Sequence, residues 1–458
     1  MSTRHDAPAA IPWPGASAVT SGPDEQAVTG QLRAQVAAAL ARHAQDREET
    51  GQGALPAGER HAIVSALISQ ALEEHATAAL RSGQPALDTA AEKRVTRAVT
   101  AELLGLGGLQ ALLDDPQIEN IDVNGHDQVF AGYADGRIAR AAPVAASDAD
   151  LVELIRTIAA RAGTEERRFD RASPRLTIQL PDGSRLFAVM SVTRRPCISV
   201  RRHRHARVTL DALARLGTVD HAMAGFLSAA VRARKNILVA GGTSVGKTTL
   251  LRALAGEIPP HERLVTIEDT FELGLDADPA RHPNVVAMQA REANIEGTGE
   301  IGLAELVRWG LRMNPARVIV GEIRGPELIA MLNVMSQGND GSMATVHSSS
   351  SRGVFTKLAA YAAQSPERLN VEATGLLVAS AIHFVVHLAW STGGVRVVSS
   401  VREIVDAEGP QIVSNEVWRP GPDRRAVPGA RLRDDTAGEL AAAGPGPFLS
   451  RDGMVSMP

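Results

Sequence analysis

The apolar positions change their period several times along the chain. Within residues 25–46, Val28, Leu32, Val36 and Leu40 recur every fourth residue, as on one face of a helix, inside a stretch rich in Pro, Gly and Ala. Residues 1–58 are therefore expected to be a mobile N-terminal arm with one helix. From residue 59 the pattern tightens: Ile63, Val64, Leu67, Ile68, Ala71 and Leu72 trace one helical face, and Val95, Val99 and Leu103 another. Short runs follow in "IENIDVNG" and "QVFAGYADGRI", bounded by Asn-Gly and Asp-Gly turns, then a helix over 151–162 and a hairpin in "RLTIQLPDGSRLFAVMS". Residues 59–205 thus read as an α+β domain and 206–218 as a linker.

Residues 219–406 alternate helical and strand patterns. "NILVA", "RLVTIEDT", "RVIVGEIRG" and "GSMATVHSSS" are short, β-branched or apolar runs whose polar chemistry is confined to the carboxyl end. A parallel sheet covered by helices gives that pattern, with its ligand outside the carboxyl edges of the strands. Between them, "LAELVRWGLRM" puts Leu303, Leu306, Val307 and Leu311 on one face, and Pro326 opens a helix that Gly338 closes. "GLLVASAIHFVVHLAW", residues 375–390, falls short of the roughly 20 residues of a membrane span and contains His383 and His387, so it reads as a buried helix running into a strand. Residues 407–458, with Gly-Pro and Pro-Gly pairs, read as a disordered C-terminal tail.

The length of 458 residues, with 44% hydrophobic content, allows two domains plus tails. A net charge of -4 gives no general affinity for polyanions, so no specific nucleic-acid partner is expected. The single Cys197 excludes an internal disulfide and reads as a packed core residue. The N-terminus lacks a basic, apolar signal sequence, which argues against export.

The chemistry begins at "GGTSVGKTT", residues 241–249, which satisfies G-x-x-x-x-G-K-[ST]. About 0.004 accidental matches are expected in this chain, so the motif is taken as a phosphate loop. The nucleotide-binding residues would be Gly241, Gly242, Thr243, Ser244, Val245, Gly246, Lys247, Thr248 and Thr249. Glycines let backbone amides turn toward a phosphate, Lys247 reaches the terminal phosphates, and Thr248 offers a hydroxyl to Mg²⁺. Glu322, ending its strand, would face the nucleotide near Mg²⁺ or the attacking water, or pair with Arg324 at the surface. No Asn-Lys-x-Asp guanine-reading motif occurs among the four lysines, which favours ATP over GTP.

Taken together, the phosphate loop, "RLVTIEDTFEL", "NIEGTGEI", "LRMNPARVIVGEIRGPE" and "GNDGSMATVHS" resemble the secretion ATPases of the type II and type IV superfamily, closest to the CpaF-like ATPases of Tad/Flp pilus assembly. The resemblance spans about 59–406. It implies an α/β fold with a RecA-like P-loop NTPase core and a smaller N-terminal α+β domain. It further implies ATP and Mg²⁺ as cofactors, a homo-oligomer, as a rule a hexamer, and a cytoplasmic place at the inner membrane, against platform proteins of a pilus or secretion system. Glu268 matches the position that orients or deprotonates water, Glu322 the Walker B acid, and His347 the histidine that senses the terminal phosphate. Mg²⁺ would sit at Thr248 with Glu322 or Asp269 nearby. Arg185, Arg201, Arg202, Arg291 and Arg324 are candidates for the arginine that contacts phosphate. Gly338, Asn339, Asp340 and Gly341 depart from the usual Gly-His-Asp-Gly, and "HSSSSRG" from the usual residues after the histidine, which puts His347 sensing in question. A nucleic-acid translocase and a nucleotide-switched scaffold with little turnover are the alternatives.

Overall fold

The computed structural model describes residues 23–49, 57–83, 86–103, 105–161, 168–180, 182–202, 208–293 and 297–444. Residues 1–22 of the expected arm, the domain boundary at 205 with Arg204 and Arg207, residues 294–296 of the "NIEGTGEI" box, and 445–458 of the expected tail lie outside them. The chain divides into two compact units, Met1–Arg204 and His205–Pro458.

The first unit opens with helices α1 (Pro23–Glu49), α2 (Ala57–Arg81) and α3 (Thr89–Leu103). Leu32 and Val36 of α1 are buried against Val64 and Ile68 of α2 and Val95 and Val99 of α3. The four-residue apolar period therefore marks a packed helix rather than part of a mobile arm, which corrects that expectation. After α4 (Leu109–Asp114) come β1 (Ile118–Asn124), β2 (Val129–Tyr133), β3 (Ile138–Ala141), α5 (Asp148–Arg161), β4 (Arg175–Gln179), β5 (Arg185–Val189) and β6 (Cys197–Arg201). The strands form a sheet of order β3-β2-β1-β6-β5-β4, and every strand pair is antiparallel. Period-two alternation sends Ile121, Val123, Leu186, Ala188, Ile198 and Val200 onto Leu151 and Ile155 of α5 and leaves the other face mixed, with Asp122, Ser199 and Arg201 beside the exposed Phe187. Cys197 lies on that outer face, half-buried, with Sγ 3.3 Å from the Arg195 carbonyl. Placing it in the core was wrong by one residue of alternation.

The second unit starts with α6 (Leu210–Arg215), capped by the Thr209 hydroxyl, with Leu210 and Leu213 buried. The segment 206–218 is thus not a bare linker; its described part belongs to the core. Next come α7 (His221–Arg232), β7 (Ile237–Gly241), α8 (Lys247–Ala255), β8 (Leu264–Glu268), β9 (Val285–Gln289), α9 (Leu303–Leu311), β10 (Arg317–Ile323), α10 (Glu327–Ser336), β11 (Met343–His347), α11 (Gly353–Gln364), α12 (Val371–Ala381) and β12 (Phe384–Trp390). The neighbours run β12-β7-β11-β10-β8-β9, all parallel. Both faces are buried: Ile237 and Val239 of β7 pack with α7 and α8, while Leu238 and Ala240 pack with α10 and α12. The apolar stretch 375–390 becomes the end of α12 and all of β12, and among the described residues no helix is long and apolar enough to cross a membrane.

Beyond β12 the sheet continues antiparallel through β13 (Arg396–Glu408), β14 (Gln411–Pro420) and β15 (Ala426–Pro428), and α13 (Asp434–Ala443) packs on α7. Trp418 is 1% exposed and sets its ring edge-on to Phe226 at 4.4 Å, while Leu432 and Leu440 close the same core. The expected disordered tail is therefore folded through residue 444. Gly409 and Pro410 turn β13 into β14, Gly421 and Pro422 turn β14 toward β15, and Val417, Trp418, Leu432 and Leu440 are buried.

Candidate functional site

The phosphate loop follows β7, and its backbone conformation explains its residues. Gly241 has φ +155°, and a Cβ there would lie 2.8 Å from the Leu388 carbonyl oxygen of β12, so no side chain fits. Gly246, the residue before α8, sits in the left-handed region at φ +96°, and Ser244 is held there at φ +61°. Bare backbone thus wraps the amino end of α8, where unpaired amides and the helix dipole favour an anion. Val245 is buried beneath the loop, while Gly242, Thr243 and Ser244 face solvent.

Parallel register then assembles the rest. Gly241 stands beside His347 at the end of β11, and β10 and β8 bring Glu322 and Glu268 to the same edge. Lys247 is buried and its ammonium donates to the carbonyls of Gly241 at 3.3 Å and Gly242 at 2.8 Å. It also lies 3.3 Å from His347 Nδ1. His347 Nε2 approaches Glu322 Oε1 to 2.7 Å, close enough for an ion pair though not aligned as a hydrogen bond. The other Glu322 oxygen accepts from Arg324 at 2.7 Å, and Arg324 also reaches Asp269 at 3.2 Å. Glu322 thus pairs with Arg324 and lies against His347 at the same edge as the loop.

Glu268 is 2% exposed. Its Oε1 accepts from the backbone amides of Glu272 and Leu273 at 2.9 and 2.8 Å, whereas Oε2 is buried with no hydrogen-bond partner. Burial pushes its carboxyl up to about 7 against the pull of those two amides, with Glu272 adding like charge and Arg252 of α8 opposing it. Room for it comes from Gly321 on β10, where a Cβ would press to 3.1 Å from Glu268 Cγ. Thr248 Oγ1 lies 3.4 Å from Glu272 Oε2. Sequence reasoning missed Gly321 and Glu272, the first because its meaning depends on which strand lies alongside.

The arginine candidates separate. Arg324 is at the edge with the acids. Arg291 folds into its own loop, Nε donating to the Gly299 carbonyl at 2.8 Å and the backbone bridging Ile301. Arg202 turns back into the first unit and donates to the Ile118 carbonyl at 3.2 Å, a scaffold contact. Arg185 and Arg201 stand directly opposite each other on the outer face of the first sheet.

The unusual "GND" box lies at the far end of β11 from His347. Asn339 donates to the Pro315 carbonyl, and the Asp340 carboxylate accepts from Asn236 at 3.1 Å. Asn236 in turn receives the amides of Gly341 and Ser342 at 2.8 and 3.0 Å. This departure from the family pattern therefore acts on scaffold at the amino edge. The serines after His347 tie β11 to the antiparallel extension, Ser351 bonding Ser400 at 2.8 Å and Arg402 at 2.9 Å.

A Mg²⁺–triphosphate fits this set of residues. The bare loop at Gly241 leaves backbone for phosphate, Thr248 and the acids offer hard oxygen ligands, and the orphaned Glu268 Oε2 is a buried acceptor at the same edge.

The family described as type II/IV secretion system protein matches residues 111–409. A putative conjugal transfer protein of Mycobacterium tuberculosis (strain H37Rv) is 35% identical over 331 residues, covering 70% of this chain and 90% of that protein. The type IV secretion system protein VirB11 of Brucella suis is 32% identical over 329 residues, 65% of this chain and 88% of that one. The solved VirB11 ATPase of Brucella suis, in complex with sulphate, aligns at 29% identity over 68% of this chain and 96% of its own, with a TM-score of 0.35.

Proposed function

Since this chain belongs to the type II/IV secretion system protein family, we propose that it is an ATP-hydrolysing motor. It would work as a homohexameric ring at the cytoplasmic face of the inner membrane, driving Tad/Flp-type pilus assembly or protein secretion through a membrane platform. The Tad/Flp assignment rests on the four motif boxes, and the ring on the family resemblance. One observation carries the motor reading. Lys247 at the start of α8, His347 on β11 and Glu322 on the neighbouring β10 form a continuous chain, beside a loop in which Gly241 has no room for a side chain.

The roles follow from position. Loop amides and Lys247 hold the phosphates, which means that the ammonium exchanges its present carbonyl partners for phosphate oxygens. Thr248 with Glu322 or Asp269 would hold Mg²⁺, which would supply Lewis-acid polarisation of the phosphoryl oxygens. Glu268 takes the proton of the attacking water on Oε2, and a carboxyl titrating at about 7 is matched to that exchange at neutral pH. His347, in reach of both Lys247 and Glu322, senses the terminal phosphate because any anion that draws Lys247 away changes its own contacts. Arg185 or Arg201 would supply cationic charge for the transition state.

Phosphate release by the purified chain tests this. Lys247→Ala should lose nucleotide binding or turnover, and Glu322→Ala should keep ATP better than it cleaves it. Equal release by wild type and both variants would sink the reading. The conjugal transfer relatives keep a nucleic-acid translocase as a second reading, to be favoured if DNA stimulates turnover and dropped if it does not.

A further inference from the structure

Trp390 and Arg396 face each other across the β12–β13 hairpin as a direct cross-strand pair, with the guanidinium 4.9 Å from the indole centroid. Trp390 is 39% exposed. Arg396 is also tied to the phosphate loop: its Nε donates to the Ser244 carbonyl at 3.1 Å, and its Cδ passes 3.7 Å from where a Cβ of Gly246 would be. One arginine therefore joins the hairpin to the loop.

Topology gives the pair a purpose. β7 carries the loop, and the groups for the terminal phosphate, Glu268, Glu322 and His347, all come from strands on one side of it. A nucleotide is linear, so with its terminal phosphate among those acids its nucleoside leaves toward the other side. The strand there is β12, paired with β7 through Leu388 and Gly241 and running two residues further, to Trp390. An exposed indole backed by a guanidinium is a flat surface that stacks on a heterocyclic base and does not read its edges.

We propose that Trp390 and Arg396 form the base-stacking platform of this site, taking the purine of the nucleoside triphosphate whose phosphates lie in the loop. The proposal rests on the phosphate-loop reading and names the part of the ligand which that reading leaves unassigned. Trp390 contacts the base, and Arg396 positions the indole against the loop.

The test compares ATP with inorganic tripolyphosphate on the full chain, each measured by direct binding. Trp390→Ala should weaken ATP about tenfold and leave tripolyphosphate unchanged, since only ATP carries a ring to stack. Trp390→Phe, which keeps a π-face, should hold ATP within about threefold of wild type yet abolish the quenching of tryptophan emission by ATP. Arg396→Gln should weaken ATP more than tripolyphosphate. Unchanged ATP affinity in Trp390→Ala, or an equal loss of both ligands, would overturn the platform while leaving the phosphate loop standing. Wild-type chain that binds neither ligand would overturn the phosphate-loop reading and the platform with it.

Discussion

Glu268 is the residue where environment and chemistry meet most directly. Burial raises its carboxyl to about 7, so below that value it is protonated and cannot accept a proton. Turnover should therefore rise with pH through about 7, and Glu268→Gln should lose that limb along with about 10²- to 10⁴-fold in kcat. Stability has the opposite sign. A carboxyl whose folded value lies above its ordinary 4.5 stabilises fully below that value, and the contribution fades as pH climbs through about 7. The amide variant should thus gain stability over wild type at pH 8 and show no such gain at pH 4, in denaturant melts at the two values. Gly321 belongs with it: the added Cβ of Gly321→Ala would press on Glu268 Cγ at 3.1 Å, shift the side chain, and should lower kcat about ten- to a hundredfold with ATP affinity kept. Lys247 and Glu322 are legible in the sequence because a contiguous motif or an acid closing an apolar run carries its own chemistry. Gly321, Glu272 and Arg396 are not legible, since each matters only through a strand or helix far away in the chain.

At the scale of elements, the core strands β7, β8, β10 and β11 could be read from composition, since burial on both faces demands unbroken apolar runs that end where the ligand begins. The antiparallel extension could not. Its strands β13 and β14 mix charged and apolar residues because charged groups are paired within the sheet, Arg402 with Glu416 and the buried Glu403 with the Arg433 amide, and Gly-Pro pairs between and after them mimic disorder. What distinguishes folded from unfolded there is the placing of Trp418, Val417, Leu432 and Leu440 into the core formed with α7. That packing has a measurable weight. Trp418→Ala should cost ~3–5 kcal/mol and Leu440→Ala ~2–5 kcal/mol in chemical denaturation, with no change in the slope against denaturant. A loss within about 0.5 kcal/mol for both would show that the extension is an appendage and not part of the unit's core.

At the scale of the whole molecule, the proposal left to test is that an arginine of the first unit serves the transition state. Arg202 is turned inward to a backbone carbonyl and belongs to the scaffold of the first unit. Arg185 and Arg201 are directly opposed on one face of their sheet. If they act on the transition state, Arg201→Ala and Arg185→Ala should each cut kcat by about a thousandfold while ATP binding stays near wild type, and Arg202→Ala should act through stability instead. Mixing then separates action within one chain from action across subunits. Lys247→Ala has no working loop but keeps its arginines, whereas Arg201→Ala keeps its loop. In a ring where each site borrows from a neighbour, combining the two inactive chains restores phosphate release, because an intact loop can sit beside an intact arginine. In a ring where each chain serves itself, no mixture contains a complete site and turnover stays at the level of the separate variants.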